Sequence, residues 1–487
     1  MKALRVHNTD NVAVAMTDLP AGEAILGVTL TAAVPKGHKF ALAAMSAGQQ
    51  VIKYGYPIGL ISGQVNPGDH VHSHNLSTGL SKSGEYTYAP TGGVQAQSPV
   101  DATFEGYRRN NGLAGTRNEI WVLNTVGCVN STAARVAAVS KAGGAVEGIH
   151  AFSHPFGCSQ LGDDLKHTRK LLASLASHPN AGGVLIIGLG CENNQLDRLL
   201  DGIEGIDRER VRAFNAQKVE DEEDSGLDAI HELAEVMAED KRTTCPASLL
   251  TLGVKCGGSD AFSGLTANPL VGLMTDRVTA CGGRAIQTEV PEMFGAEQLL
   301  MNRAASREIF DHTVSLINDF KDYFTANNQP VSENPSPGNI AGGITTLEEK
   351  SLGAIQKGGQ AAISDVISYG DRAKRAGLTL LQGPGNDAVS STALTAAGAN
   401  LILFTTGRGT PLGFPVPTLK IASNSELAGR KPRWIDFNAG ALLDGQSMEE
   451  VADALWRHIL RTASGAPARN EENGYREIAI WKTGVTL

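Results

Sequence analysis

Along most of the chain, strand-sized apolar runs end on glycine and are followed by helical segments, and this alternation is what most constrains the fold. EIWVLNTVGC (119–128), GIHAFSHPFGC (148–158), VLIIGLGCE (184–192), SLLTLGVKCGG (248–258), LTLLQGPGND (378–387) and LILFTTGRGT (401–410) share this form. NSTAARVAAVSKAG (130–143) and the acid-led DDLKHTRKLLASLASH (163–178) read as the intervening helices. Strands that alternate with helices pair in parallel, because each crossover returns along a helix. Glycine, at 56 of 487 residues, is in excess without a collagen-like period, as turns between ordered elements require.

The N-terminal part has a different pattern. NVAVAM, ILGVTL, KFALAAM, QQVIKYGYPIGLISG and HVHSHNL are short strands punctuated by turns, and they predict a small, mostly β domain over 1–95. A linker over 96–102 follows in Gly- and Pro-rich sequence. Two α/β domains are expected at 103–243 and 244–487. In the second, ENPSPGNIAGG (333–343) is turn-rich and TTLEEKSLGAIQ (345–356) opens as a capped helix.

A formal charge of −9 gives no field that would gather nucleic acid or an anionic membrane. The first residues carry Asp10 and Asp18 and no sustained apolar core, and runs such as Val184 to Leu189 are far short of the roughly 20 residues that cross a bilayer. A cytoplasmic protein is expected. Neither GxGxxG nor GxxxxGK[ST] occurs, which removes support from dinucleotide binding and NTP hydrolysis.

In open parallel sheets ligands bind beyond the carboxyl ends of the strands. Those ends carry Cys128, His154, Cys158, Cys191, Glu192, Cys256, Asp260, Glu289, Glu292, Asn386, Asp387, Thr405, Thr406, Gly407 and Arg408. Cys128, Cys158, Cys191 and Cys256 either fill tight turns beside glycine or supply thiolates to iron, with a position left open for substrate. His154, Glu192, Asp260 and Glu289 are candidate bases, acids or hard ligands, and equally candidate structural and capping groups. Arg408 is the preferred carboxylate clamp, with Thr406, Gly407, Ser259 and Asn386 as further substrate contacts. A second metal candidate is the alternating stripe His70, His72 and His74, which on a strand would share one face and could be joined by His38; the bland reading is an exposed face.

The ordered motifs VHNTDNVAVA, GHKFAL, VIKYGYPIG, HVHSHNL, FEGYRRNNGLAGTRNE, SHPFGCSQLGDD, GVKCGGSDAFSGLTANP, TEVPEMFGAE, FTTGRGTPLG and WIDFNAG resemble the altronate/galactarate dehydratase family across essentially the whole chain. HVHSHN and GCSQLGDD are similar to its altronate branch. The resemblance implies an N-terminal SAF-type β-clip domain, a second α/β domain and a C-terminal Rossmann-like domain. It also implies a hydro-lyase that converts D-altronate to 2-dehydro-3-deoxy-D-gluconate with iron(II), manganese being associated with activation, and an iron-sulfur centre is an open variant. Galactarate dehydration, another sugar-acid lyase activity, or non-catalytic binding of a sugar acid are the alternatives. A homo-oligomer is compatible with all of them.

Overall fold

The computed structural model describes residues 2–80, 84–91, 101–205 and 207–487, so residues 96–100 of the expected linker lie outside the described residues. The N-terminal part is built from short antiparallel strands. Ala3–Leu4, Val12–Ala15, Lys39–Ala41 and His70–Val71 form one sheet, and Gln50–Lys53, Tyr56–Ile61 and Leu76–Ser77 another. The hairpin at Tyr54-Gly55 turns with φ of 59° and 79°, the doubly left-handed pair that matches the strand twist, and glycine carries the second position at no steric cost.

HVHSHN departs from the expected strand. The strand stops at Val71, and Asn75 closes a turn by accepting from His72 N (3.0 Å) while its amide donates to the His70 carbonyl (3.0 Å). The three histidines therefore do not alternate on one pleated face.

The middle region holds a four-stranded parallel sheet. Its strands are β1 (Glu119–Asn124), β2 (Gly148–Ala151), β3 (Ala181–Gly188) and β4 (Val211–Asn215), in the order β2-β1-β3-β4. Helices α1 (Asn130–Val139), α2 (Gly162–Ala176) and α3 (Leu196–Asp201) make the crossovers, and α4 (Glu222–Val236) follows β4. Thr103–Arg108 pairs antiparallel with Thr243–Pro246, so the two ends of this region lie side by side.

The C-terminal sheet has seven parallel strands. They are β5 (Thr251–Cys256), β6 (Arg284–Gln287), β7 (Ile363–Ile367), β8 (Gly377–Leu381), β9 (Leu401–Thr406), β10 (Thr418–Ala422) and β11 (Phe437–Asn438), in the order β7-β8-β6-β5-β9-β10-β11. Every residue of β5 and β9 is buried, as central strands covered on both faces must be. Helix α5 (Ala267–Ala280) lies against β5, and α6 (Arg307–Ala326), α7 (Leu347–Ala354), α8 (Asp387–Ala396) and α9 (Met448–Ala463) complete the layers. No helix among the described residues is long and apolar enough to cross a membrane.

Two contacts fix the site from outside this sheet. Lys39 and Lys53 of the N-terminal part donate to the two oxygens of Glu349 on α7, at 2.9 and 2.7 Å, with all three side chains buried. Near the C-terminus Trp481 N donates to Tyr369 Oη (3.0 Å), the Thr483 and Gly484 amides donate to Asp164 (2.7 and 2.9 Å), and Leu487 N donates to the Ser159 carbonyl (3.0 Å).

Candidate functional site

The carboxyl ends of β5, β6 and β9 meet where parallel topology leaves backbone amides free. β5 ends in Lys255-Cys256. Beyond β6 the chain bends at Glu289, whose φ of 70° is rare for a residue with a side chain, and Glu292 N closes the turn onto the Glu289 carbonyl at 2.7 Å. This turn brings both carboxylates to the thiol. Cys256 Sγ is 3.0 Å from Glu292 Oε2 and 3.9 Å from Glu289 Oε1, and the Cys256 amide donates to Glu289 Oε2 at 3.1 Å.

Three buried lysines surround the carboxylates. Lys255 bonds Glu289 and lies 3.0 Å from Asp387 at the start of α8. Lys350 of α7 lies 2.8 Å from Glu292, and Lys357 lies 3.2 Å from Glu289. Their charges order the titrations. Burial pushes the Cys256 thiol up to about 12, reinforced by Glu289 and Glu292. Burial and the adjacent Glu292 charge raise Glu289. In Glu292 burial is outweighed by Lys350, Lys255 and Lys357, which hold it down at about 2. Lys255 is raised because Glu289, Asp387 and Glu292 outweigh burial.

The cluster opens into a cavity of about 500 Å³ lined by Cys256, Ser259, Glu292, Lys350, Asn386 and Asp387, with Phe320, Tyr323 and Trp481 forming an aromatic wall. The ligand atoms of Cys256, Glu289 and Glu292 lie within 4.8 Å of one another, so this trio could hold a metal ion. One thiol and two carboxylates suit a first-row divalent ion in donor type. The nearby ammoniums work against a second cation, so a bound ion must displace a lysine contact or the thiol proton.

The other anticipated residues divide. Ser259 and Asn386 line the cavity, and Asn386 also caps α8 by accepting from the Ala388 and Val389 amides (both 3.1 Å). Asp260 points away into four bonds, from Ser263 N, Ser263 Oγ and Ser423 Oγ (each 2.9 Å) and from Asn424 (3.1 Å). Gly407 packs on Asp260 so tightly that a Cβ would lie 2.2 Å from its carboxyl carbon. Thr406 Oγ1 accepts from Gly409 N at 2.8 Å, and Arg408 is exposed with its amide held by the Gly258 carbonyl (3.1 Å).

His154 and Glu192 belong to the middle sheet. The His154 ring donates to the Asn124 carbonyl (2.9 Å) and accepts from Phe156 N (3.3 Å), and burial lowers its pKa. Glu192 accepts from Thr125 Oγ1 and from the Leu189 and Gly190 amides (3.0 and 2.6 Å). Both are occupied in holding loops. Cys128, Cys158 and Cys191 are exposed on this sheet, whereas Cys256 is buried on the other, so the four thiols expected together form two sets. Strand order decides this, since the first three follow β1, β2 and β3 and Cys256 ends β5.

The histidines gather by another route than the expected stripe. His38 Nδ1 is 3.1 Å from His70 Nε2, the His38 and His72 rings stack at 4.6 Å, and His72 Nε2 lies 3.1 Å from the Ile340 carbonyl. Burial lowers His38 and His72, and burial with the neighbouring histidines lowers His70 to about 4. His74 is exposed beside His70.

Sequence reasoning passed over Lys255, Lys350 and Lys357. The available signals were a lysine inside the fully apolar run of β5, and a spacing of seven residues that places Lys350 and Lys357 on one helical face.

Comparison with known proteins agrees with this architecture. The SAF domain of altronate/galactarate dehydratase matches residues 1–79, the second domain of D-galactarate dehydratase/altronate hydrolase matches 106–238, and the C-terminal domain of D-galactarate/altronate dehydratase matches 247–486. The chain is 49% identical to the altronate dehydratase of Escherichia coli (strain K12), covering 100% of both chains. It is 47% identical to that of Bacillus subtilis (strain 168), covering 99% of both. The galactarate dehydratase (L-threo-forming) of E. coli (strain K12) is 34% identical over 95% of this chain and 92% of its own. With full-length relatives of this kind and all three domain types in order, the chain belongs to the altronate/galactarate dehydratase family.

Proposed function

We propose that the chain is a hydro-lyase that dehydrates D-altronate to 2-dehydro-3-deoxy-D-gluconate in the cavity between β5, β6 and α7. The observation that carries the reading is the cavity itself, which presents Lys350, the partly exposed carboxylate of Asp387 paired with Lys255, and side-chain amides in a volume suited to a six-carbon acid. The identity to altronate dehydratases, higher than to the galactarate enzyme, favours altronate as substrate.

The α proton of a carboxylate is weakly acidic, so positive charge must meet the enediolate as it forms. Lys350 at the cavity wall and the buried Lys255 behind Asp387 supply a positive field, while Asn386 and Ser259 offer polar contacts to hydroxyls. Asp387, with its side chain 35% exposed and held by Lys255, accepts the C2 proton. Lys350 gives a proton to the departing 3-hydroxyl, which leaves as water, and the resulting enol tautomerises to the 2-keto acid. The aromatic wall keeps bulk water out. Cys256, Glu289 and Glu292 would hold iron(II) or manganese, which when bound supplies Lewis acidity to the substrate carboxylate and hydroxyl. These roles replace those expected for His154, Glu192 and Asp260, whose polar atoms are engaged elsewhere.

The test is an anaerobic assay with iron(II), following 2-keto-3-deoxy acid from D-altronate, galactarate and other sugar acids. Turnover of altronate with loss in Asp387→Asn supports the proposal. Turnover of galactarate alone would change the substrate, and binding without turnover of any acid would make the protein a receptor.

A further inference from the structure

A second cavity lies at the opposite end of the C-terminal sheet from the one at Cys256. It holds about 330 Å³ between the starts of β5 and β6, marked by Thr251 and Arg284, the loop before β8 with Arg372 and Lys374, and the turns that follow α2 and α3 in the middle region. β5 has six residues, so about 17 Å of strand at about 3.3 Å per residue separates the two cavities. Arg284, Arg372 and Lys374 line the space against a single acid, Glu204, so the local charge is opposite in sign to the formal −9 of the chain.

The two arginines are not neutralised. Glu204 is taken by Lys374 at 3.2 Å, and both of those side chains are exposed. Arg372 commits one nitrogen, Nη1, to the Ser177 carbonyl and hydroxyl (both 2.8 Å) and to the Ser174 carbonyl (3.2 Å), around the C-terminal end of α2. Arg284 Nε is shut from solvent and has no hydrogen-bond partner among the described residues. Burial, with the Arg284 charge adding to it, lowers Arg372 to about 10, and burial lowers Arg284. Buried polar groups are bonded with few exceptions, and a buried cation without a counter-charge is costlier still.

Backbone bonds hold both guanidiniums in place. Arg284 N donates to the Leu250 carbonyl (3.0 Å), Ala373 N to the Ala397 carbonyl (2.9 Å) and Gly377 N to the Gly283 carbonyl (3.0 Å). A guanidinium fork recognises carboxylate and phosphate oxygens through paired N–H donors. Two such cations on one space match two negative charges, whereas a monoanion leaves one of them uncompensated. The volume takes the anionic group with a few carbons attached. A hexonate such as altronate, with one carboxylate, is a poor match, so the cavity is not a second copy of the substrate site.

We propose that Arg284 and Arg372 form a binding site for a small, doubly charged oxyanion, a chemistry shared by phosphate monoesters and dicarboxylates. Bound there, the anion ties Arg284 of the C-terminal sheet to Arg372, and through Arg372 to the end of α2, and it removes the repulsion between the two cations. The site is independent of the dehydration chemistry, since none of the residues lining it lines the Cys256 cavity.

Isothermal titration calorimetry and thermal denaturation of the full chain test it, at constant ionic strength, with inorganic phosphate, glucose 6-phosphate, malonate and chloride. The dianions should bind saturably and raise the melting temperature, and chloride should do neither. Tighter binding of glucose 6-phosphate than of malonate assigns the site to phosphate esters, and the reverse order assigns it to dicarboxylates. Arg284→Gln should weaken binding about tenfold or more, as the loss of a charged hydrogen bond does. Without ligand this variant should melt no lower than the parent, because it removes an unbalanced charge, whereas loss of a merely structural arginine would lower the melting temperature. Lys350→Met should bind the dianion as the parent does, which separates the site from the Cys256 cavity. Hydrogen exchange in the wild-type chain should slow around Arg284 and Arg372 when the dianion is added, a readout that needs no variant to fold. No saturable binding of any dianion, undiminished binding in Arg284→Gln, a lower melting temperature of that variant without ligand, or loss of binding in Lys350→Met would overturn the proposal.

Discussion

Glu349 and Lys350 are consecutive residues of α7 that pair in opposite directions: Glu349 receives the buried Lys39 and Lys53 ammoniums of the N-terminal part, and Lys350 lies 2.8 Å from Glu292 at the cavity. One turn of helix therefore joins the seating of the N-terminal sheets to the charge balance of the site. Removing one member of a buried ion pair costs about 3–5 kcal/mol, because the partners stay buried and uncompensated. Glu349→Gln strands two lysines, and should lower stability by that order in chemical denaturation and separate the unfolding of the N-terminal part into its own transition. A single transition at the wild-type midpoint would contradict this.

Lys350→Met should lower kcat for the sugar acid by roughly 10²–10⁴-fold, the usual worth of a positioned acid. Its fold should hold, since methionine keeps much of the lysine stem volume and the change leaves Glu292 near Lys255 and Lys357. Steady-state kinetics with circular dichroism on the same sample separates lost chemistry from lost structure.

Gly407→Ala tests the rim. The added methyl would lie 2.2 Å from the Asp260 carboxyl carbon, inside a carboxylate fixed by four hydrogen bonds. Overpacking of this kind costs about 1–3 kcal/mol. A melting temperature within error of the parent would show that the β9 and β5 loops yield more easily than their bonding indicates.

His178 predicts a pH dependence of stability. It is stacked on Trp121 at 5.0 Å, accepts from Asn180 N and donates to the Ala399 carbonyl, an arrangement only the neutral ring can make. Burial, with Arg372 adding to it, lowers its pKa from 6.5 to about 3. Below pH 6.5 the unfolded chain binds a proton that the folded chain refuses, so stability is complete above 6.5 and declines as pH falls toward about 3. This one group contributes a slope of at most about 1.4 kcal/mol per pH unit. His178→Gln should flatten the denaturation-midpoint profile over that window; an unchanged slope would assign it to other groups.

How much of this was visible in the amino-acid order depends on the physics behind each feature. The glycine-ended runs identified β1, β3, β5 and β9 because a buried parallel strand is apolar on both faces, and the strand-end rule led to Cys256, Glu289 and Glu292. Lys255, Lys350 and Lys357 escaped because lysine is almost never fully buried unless paired, and the pairing is a tertiary fact. HVHSHN misled because alternation was credited to a strand when Asn75 folds it into a turn. The partition of the cysteines was illegible, since glycine loops mark strand ends without saying which sheet a strand joins.

The seat of the N-terminal part on α7 has a further consequence for solution conditions. Because Lys39, Lys53 and Glu349 are shut away from solvent, mobile ions have little access to their contact, and raising the ionic strength should scarcely loosen the joint. Acid acts differently: burial is outweighed by Lys39 and Lys53, which hold the Glu349 carboxyl far below the usual carboxylate range, so the contribution of the joint declines as pH falls below about 4.5 and is lost only in strong acid, where one proton on the shared carboxylate cancels both attractions at once. The N-terminal part is thus held by a fastening that brine leaves shut and only strong acid opens.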